Sequence, residues 1–259
     1  MTADRAPFRL RWRHYLLAVL AYLALLLAWA PASLLAWALP HFTRQAVSLE
    51  QATGSVWRGQ AAGLRVRAAG LSGDLQLGRM NWSVRPLDLF VGRLGYRLHL
   101  AGAGIHAQGV VRAGANSAEL LEARIEMPAK RLAQLAPDFE WWQPDGRLVL
   151  TTERMAFSPT EARGEAALRW LDAASGRARS RLGSYRADIE GAERGLRFTL
   201  STESGPLTLQ GQGNWDRERG VVFNGVARAA PDSRAELGGL LNLIGPARPD
   251  GDRAIRIGS

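Results

Sequence analysis

The chain has 259 residues, contains no cysteine, and carries 33 Lys and Arg against 24 Asp and Glu, a net charge of +9. Because cysteine is absent, disulfide bonds and thiolate metal sites are excluded. Basic and acidic residues are interleaved after the N-terminal tail and form no basic run, so we predict no nucleic-acid partner. The length allows one long domain or two small ones.

The N-terminus has the charge pattern of a membrane anchor. The uncharged, Leu- and Ala-rich stretch 15–39 has a helical length of about 37 Å, against about 30 Å for the hydrocarbon core of a bilayer. A basic tail over residues 1–14 precedes it and is expected to stay in the cytoplasm. We therefore predict a transmembrane anchor over 15–39 and a β-rich domain over 40–259 on the far side of the membrane.

Two features complicate this prediction. Ala28-Trp29-Ala30 has the form of a signal-peptide cleavage site, so a cleaved signal peptide is the alternative. Pro31 lies inside the stretch and lacks a backbone N–H, so we expect a kink or compensating packing near the outer face. The uncleaved anchor is favoured because the stretch is longer than the roughly 7–15 apolar residues of a signal peptide.

After this stretch the pattern changes from continuous to alternating. Apolar residues spaced two apart predict half-buried strands, with one face on a core and one on water. Glycine, present 28 times, recurs between these segments as it does at the turns of a meander. The alternating segments are 47–50, 64–67, 75–77, 98–100, 148–150, 196–200, 207–209 and 222–226.

The predicted fold class is mainly β: one N-terminal transmembrane helix, then an extended, curved antiparallel sheet resembling a half-barrel, with one or two short helices. The short helices are predicted at 129–135 and at 235–244, the second ending at Gly245-Pro246. The irregular segment 137–145 is the best candidate for a boundary within the β-rich domain.

The search for reactive residues gives no site. His99 and His106 are the only histidines far from the apolar stretch, and no neighbouring Asp or Glu completes a ligand set. The motifs Gly-x-Ser-x-Gly, Ser-x-x-Lys and His-Glu-x-x-His do not occur. We therefore predict no catalytic residue, no cofactor and no metal, and hence no enzyme.

Tryptophan is the remaining conspicuous residue type. Trp57 lies between glycines and Trp82 precedes a Pro-Leu turn, and such indole rings serve either as a binding surface or as core anchors at hairpin ends. We favour the core role, and predict structural anchors at Trp57, Trp82, Trp170 and Trp215.

The order and spacing of several segments resemble the type II secretion system protein N family, also called general secretion pathway protein N. These segments are the N-terminal anchor, the turn Gly54-Ser55-Val56-Trp57-Arg58-Gly59, the Trp-x-x-x-Pro-Leu stretch 82–94, and residues 182–185, 205–211 and 240–245. The resemblance covers nearly the whole chain. It implies no role for any individual residue.

The resemblance implies a non-catalytic accessory component of the machinery that exports folded proteins across the outer membrane. Its expected location is the cell inner membrane, with a single pass, a cytoplasmic N-terminus and the bulk of the chain in the periplasm. Its expected partners are other type II secretion subunits and the inner membrane. The architecture is also similar to that of the AsmA-like group, in which Gly-rich strands form a curved open sheet.

Two other functions stay open at this point. An AsmA-like lipid-binding or lipid-transfer protein requires an open apolar trough along the sheet. An anchored hydrolase requires a cleft in which carboxylates converge.

Overall fold

The computed structural model describes residues 12–43, 45–67, 74–90, 92–114, 116–131, 143–176, 181–216, 219–245 and 252–258. Its helices are α1 Trp12–Ala28, α2 Ser33–Phe42, α3 Pro86–Leu89 and α4 Arg234–Ile244. The first strands are β1 Val47–Glu50, β2 Thr53–Gly54, β3 Arg58–Ala61, β4 Gly63–Arg67, β5 Asp74–Gln76, β6 Arg79–Val84, β7 Leu94–Gly102 and β8 Ile105–Ala113. The later strands are β9 Ala118–Pro128, β10 Pro144–Phe157, β11 Ala162–Ser175, β12 Gly183–Ala192, β13 Gly195–Ser204, β14 Leu207–Asp216, β15 Gly220–Ala229 and β16 Arg253–Ile257.

One long antiparallel sheet dominates the described residues. Its thirteen strands run in the order β2, β3, β6 and then β7 to β16 in sequence, so most of the sheet is a simple meander. The strands β1, β4 and β5 form a separate three-stranded sheet. Because β2 and β16 lie at opposite edges and do not pair, the large sheet is open. The predicted mainly-β fold with an open antiparallel sheet is confirmed, and the curvature of the sheet stays a prediction.

The sheet has one apolar and one polar face, as the alternation of the sequence predicted. Cross-strand pairing from β7 to β16 aligns one residue of each strand in a row on the apolar face: Leu100, Ala107, Ile125, Leu150, Leu168, Ala187, Leu200, Gly211, Gly225 and Ile255. The adjacent row on the other face is polar at every strand except β11: His99, Gln108, Arg124, Thr151, Ala167, Asp188, Thr199, Gln212, Asn224 and Arg256.

The predicted continuous helix over 15–39 is wrong. The chain forms α1 and α2 instead, separated around Pro31, which forms an isolated antiparallel bridge with Ser55. Proline cannot donate to a helical carbonyl, and here the flanking residues pair with another segment: Ala32 N donates to Gly54 O at 3.0 Å. No helix in the described part of the chain combines the length and the apolar character that crossing a membrane requires.

Two buried clusters close one end of the sheet. The α2 cluster packs α2 and the small sheet against β3 and β6–β8, and its buried residues are Ala32, Ala61, Met80, Trp82, Leu100 and Ile105. The α4 cluster packs α4 against β11–β15, and its buried residues are Ala173, Leu182, Tyr185, Leu207, Ala227, Ala229, Leu237, Leu240 and Leu241. The α4 cluster lies where β13 joins β14, and the α2 cluster extends from Ala32 and the centre of β6 and β7 to the turn where β7 joins β8. We call the end with these two turns the capped end. The opposite end, where β6 continues through α3 into β7, is called the α3 end.

The predicted 235–244 helix is confirmed by α4, which ends before Gly245. At 129–135 the structure forms a single 3₁₀ turn over Ala129–Arg131, and the rest of that prediction lies outside the described residues. Most of the candidate boundary 137–145 also lies outside them, although β9 and β10 pair with each other on either side of it.

Candidate interaction surface at the α3 end

Large apolar side chains project into solvent at the α3 end of the sheet. Leu87 is 74% exposed and Phe90 is 87% exposed, and Leu89 and Leu94 are exposed beside them. We call these four residues the α3 rim. Farther along the same end, the exposed apolar side chains are Phe157, Trp215, Val221 and Ile257. Exposed apolar side chains that are grouped as in the α3 rim make this end a candidate contact surface.

The connection between α1 and α2 is fixed at this same end. Trp57 Nε1 donates to Leu27 O at 2.8 Å, and Val56 N donates to Ala30 O at 2.9 Å. The N–H of Val84, the last residue of β6, donates to Trp57 O at 2.7 Å. Hydrogen bonds therefore link the end of α1, through Trp57, to the residues that lead into α3.

A buried carboxylate holds α3 against the sheet. Asp88 is 5% exposed, and Arg112 Nη2 lies 3.0 Å from its Oδ1 while Arg85 Nε lies 3.5 Å from its Oδ2. Arg112 faces Gly95 across the β7–β8 pair, and a Cβ at Gly95 would overlap Asp88 Oδ2. Glycine at this position therefore makes room for the carboxylate, and the two leucines beside Asp88 are left pointing away from the sheet.

A second buried carboxylate extends this cluster. Glu119 Oε1 lies 3.1 Å from Arg93 Nη1 and 3.1 Å from Arg154 Nη2, and its Oε2 lies 3.9 Å from Arg112 Nη1. With Arg85 and Asp88, four arginines surround two carboxylates, so the cluster is net positive. We did not predict this cluster from the sequence, where its only sign was the position of Asp88 in the stretch 82–94.

The four predicted tryptophan anchors lie in different places. Trp82 is 3% exposed in the α2 cluster, where its Nε1 donates to Ser55 O at 3.1 Å, and Trp57 is half-buried on the α1 connection. Trp170 packs partly buried against the α4 cluster, whereas Trp215 is 39% exposed at the α3 end. The structure does not bring them together in one site, and their role as anchors stays a prediction.

Tyr185 is a buried polar group of the α4 cluster that sequence reasoning missed. Its hydroxyl lies 2.9 Å from Leu207 O and 3.1 Å from Leu182 O, so it joins the starts of two strands to the segment before β12. Burial raises the pKa of Tyr185 well above its ordinary value because the charged form would lose its hydration. Its only signal in the sequence was the resemblance of residues 182–185 to the family.

The polar face carries both central histidines and the charged lining of an open cavity. His99 and His106 lie on adjacent strands of this face, and among the described residues no three His, Asp or Glu side chains are grouped closely enough to hold a metal ion. An open cavity of about 910 Å³ spans β10–β12 on this face. Its charged lining residues are all solvent-exposed: Glu153, Arg154, Glu165, Arg186, Asp188 and Glu190.

The middle of the apolar face is only half-buried. Between the two clusters, Ile125, Leu150, Leu168 and Ile189 have intermediate exposure. Nearer the α3 end, the rings of Phe198 and Phe223 stack with centroids 5.8 Å apart. The described residues thus leave a partly open apolar band along the sheet, between its capped and α3 ends.

The fold and the candidate surface together define a class of protein. It is an open antiparallel meander with one apolar and one polar face, and its α3 end and half-buried apolar band are available for contact. Comparison of the sequence with family profiles identifies one family. The profile described as type II secretion system (T2SS), protein N, matches residues 45–258, which include every strand of both sheets. The chain belongs to this family, as its sequence resemblance predicted, and it is a component of the type II secretion machinery.

Neither the curated proteins nor the solved structures contained a significant match to this chain.

Proposed function

We propose that this protein is a non-catalytic structural subunit of the type II secretion machinery, held at the inner membrane with its sheet in the periplasm. The observation that carries the proposal is the family match over 45–258, which spans the whole of the sheet. The sheet offers contact surfaces of the kind a scaffold needs, since no described strand lies beside the outer edge of β16 and the α3 rim is exposed.

The N-terminal region supports attachment to the membrane. Every described side chain of α1 is exposed, and from Tyr15 onward the helix carries no charged residue. An apolar helix with no packing partner on the described sheet has lipid as its natural surroundings. The basic residues of the tail then favour a cytoplasmic N-terminus and a periplasmic sheet.

Non-catalytic action is supported by the surroundings of the carboxylates. Asp88 and Glu119 are buried, but each is paired with at least two arginines. The carboxylates lining the large polar cavity are solvent-exposed and lack the apolar wall that tunes a catalytic acid. Neither the carboxylates beneath α3 nor those of this cavity therefore have the unpaired, enclosed setting that a hydrolase requires.

The free edge of β16 is the surface we propose for other secretion subunits. Residues Arg253–Ile257 pair with β15 along one edge, and no described strand lies along the other, although Gly245 lies against the carbonyl of Ala254 and Arg253 donates to Asn242 of α4. Such an edge accepts an extended segment of another protein by strand addition. Arg253 and Arg256 favour an acidic segment as the partner.

Gene deletion tests the proposed function. We expect a deletion strain to retain exoproteins in the periplasm and release fewer of them, and expression of the full chain to restore release. Expression of a chain with Phe223→Ala, which loses a buried ring on the strand beside β16, should restore release only in part because the sheet is destabilised. Normal release from the deletion strain, with the other secretion subunits at normal levels, would contradict the proposal.

Lipid binding is the second candidate function, favoured by the half-buried apolar band. A delipidated full chain that carries lipid should take up a fluorescent fatty acid, and Leu150→Glu in the band should reduce uptake more than Arg169→Glu on the polar face. The absence of uptake by the wild-type chain would end this interpretation.

A further inference from the structure

We propose that the α3 rim is a second membrane contact, which inserts into the anionic interface of the bilayer beside α1. This inference deepens the proposed function because it depends on the location of the protein at the inner membrane. It assigns the exposed side chains of Leu87, Leu89, Phe90 and Leu94 to lipid rather than to a protein partner.

The apolar side chains of the rim are held in solvent by the fixed position of α3. α3 has only four residues, yet it is fixed by the ion pairs of Asp88 and by the N–H of Arg93, which donates to Asp88 O at 3.0 Å. A short helix held in this way keeps Leu87 and Phe90 outward at a fixed height above the strand ends. Large apolar side chains held outward by a buried ion pair are unfavourable in water and favourable at an apolar boundary.

The position of the rim brings it to the same surface as α1. The path from α1 to α3 is direct, from Leu27 O to Trp57 and from Trp57 O to Val84. The strands β3, β6 and β7 are neighbours in the sheet, so the start of β7 lies two strand spacings, about 10 Å, from β3. A bilayer that contains α1 is therefore within reach of the rim.

The positive charge around the α3 rim favours an anionic bilayer as the surface that covers it. Arg58, Arg85 and Arg93 lie at this end of the sheet, while the two carboxylates of the cluster are buried under it. Apolar side chains flanked by arginines bind an interface through both burial and attraction to anionic headgroups. Trp29, exposed at the end of α1, is a residue type that favours this depth of a membrane.

The experiment uses the natural absence of cysteine. Three full-length variants, each with one cysteine, receive an environment-sensitive fluorophore: Phe90→Cys in the rim, Leu20→Cys in α1, and Ser204→Cys, an exposed position at the capped end. Each is reconstituted into vesicles of phosphatidylethanolamine and phosphatidylglycerol that contain a nitroxide-labelled lipid as quencher. Far-UV circular dichroism confirms that each labelled chain retains its β structure.

We expect the labels at 90 and at 20 to lose fluorescence to the quencher and the label at 204 to keep it. Replacing phosphatidylglycerol by phosphatidylcholine should reduce the loss at 90 and leave the loss at 20 unchanged.

Loss at 20 with none at 90 would overturn the inference and leave the anchor intact. The inference would also be overturned if the label at 90 became protected from the quencher only after other secretion subunits were added. A protein, and not lipid, would then cover the α3 rim. No loss at either position would refute the membrane attachment itself, and the exoprotein release assay would then decide the proposed function independently.

Discussion

The two ends of the sheet differ in what covers them. At the capped end, two clusters of buried side chains are closed by α2, by the small sheet and by α4. At the α3 end, the same strands finish in exposed apolar side chains, and the two carboxylates beneath α3 are buried in charged pairs. Burial at the capped end holds the meander together, whereas the α3 end exposes apolar surface that the described residues do not cover.

The strongest test of this difference is Trp82→Ala. Removal of this buried indole, which fills the α2 cluster, should lower the free energy of unfolding by about 3–5 kcal/mol. Phe90→Ala removes a comparable ring from the α3 rim and should change it by less than about 0.5 kcal/mol. Urea unfolding of the full chain in detergent, followed by circular dichroism, compares the two, and equal losses would contradict the division into ends.

A second test concerns the α4 cluster at the capped end. Leu237→Ala deletes a fully buried side chain of α4 and should cost about 2–5 kcal/mol of stability, whereas Leu87→Ala at the rim should cost almost nothing. Because the α2 and α4 clusters share no residue, the losses from Trp82→Ala and Leu237→Ala should add to within about 0.5 kcal/mol. A clearly non-additive double variant would show that the two caps are coupled.

The charged pairs of the α3 end provide a smaller effect. Arg112→Met leaves the buried Asp88 with a weaker set of partners and should cost about 1–3 kcal/mol. Arg124→Met breaks a more exposed pair with Glu126 and should cost at most about 1 kcal/mol. The same unfolding measurement tests both, and if Arg112→Met costs no more than the control, Asp88 does not depend on Arg112.

The smallest effect concerns Tyr185 and depends on pH. Tyr185→Phe removes one buried hydroxyl and should cost about 1 kcal/mol at neutral pH. Since folding raises the pKa of Tyr185, its contribution is full below about pH 10, the ordinary value, and is lost as the pH rises above it. The free energy of unfolding should therefore fall less steeply above pH 10 in the variant, and an unchanged slope would contradict the assignment.

Much of the fold was predictable because strand alternation is a local signal. Segments such as 98–100 and 196–200 alternate between large apolar and polar residues, and all the alternating segments singled out from the sequence lie within or overlap strands. The strands that were not singled out, such as β11 and β12, are rich in alanine and glycine, whose small side chains carry little information about which face is buried. α4 was predictable because its leucines recur at helical spacing.

The candidate surface was not predictable, because it depends on which strands become neighbours. Asp88 becomes a buried structural group only when β8 brings Arg112 opposite Gly95. No local sequence pattern predicts this register of β7 and β8. The break at Pro31 was only partly predictable for the same reason. A proline indicates a kink, but its bridge to Ser55 depends on where the turn before β3 lies.

The sequence by itself determined the β-rich fold class, the two-faced character of the strands and the family, because these depend on composition, periodicity and motif order. Only the tertiary structure decided which end of the sheet is covered, that residues 15–39 do not form one helix, and that exposed apolar side chains gather beside α1. These features depend on strand order and register, which join residues far apart in the chain.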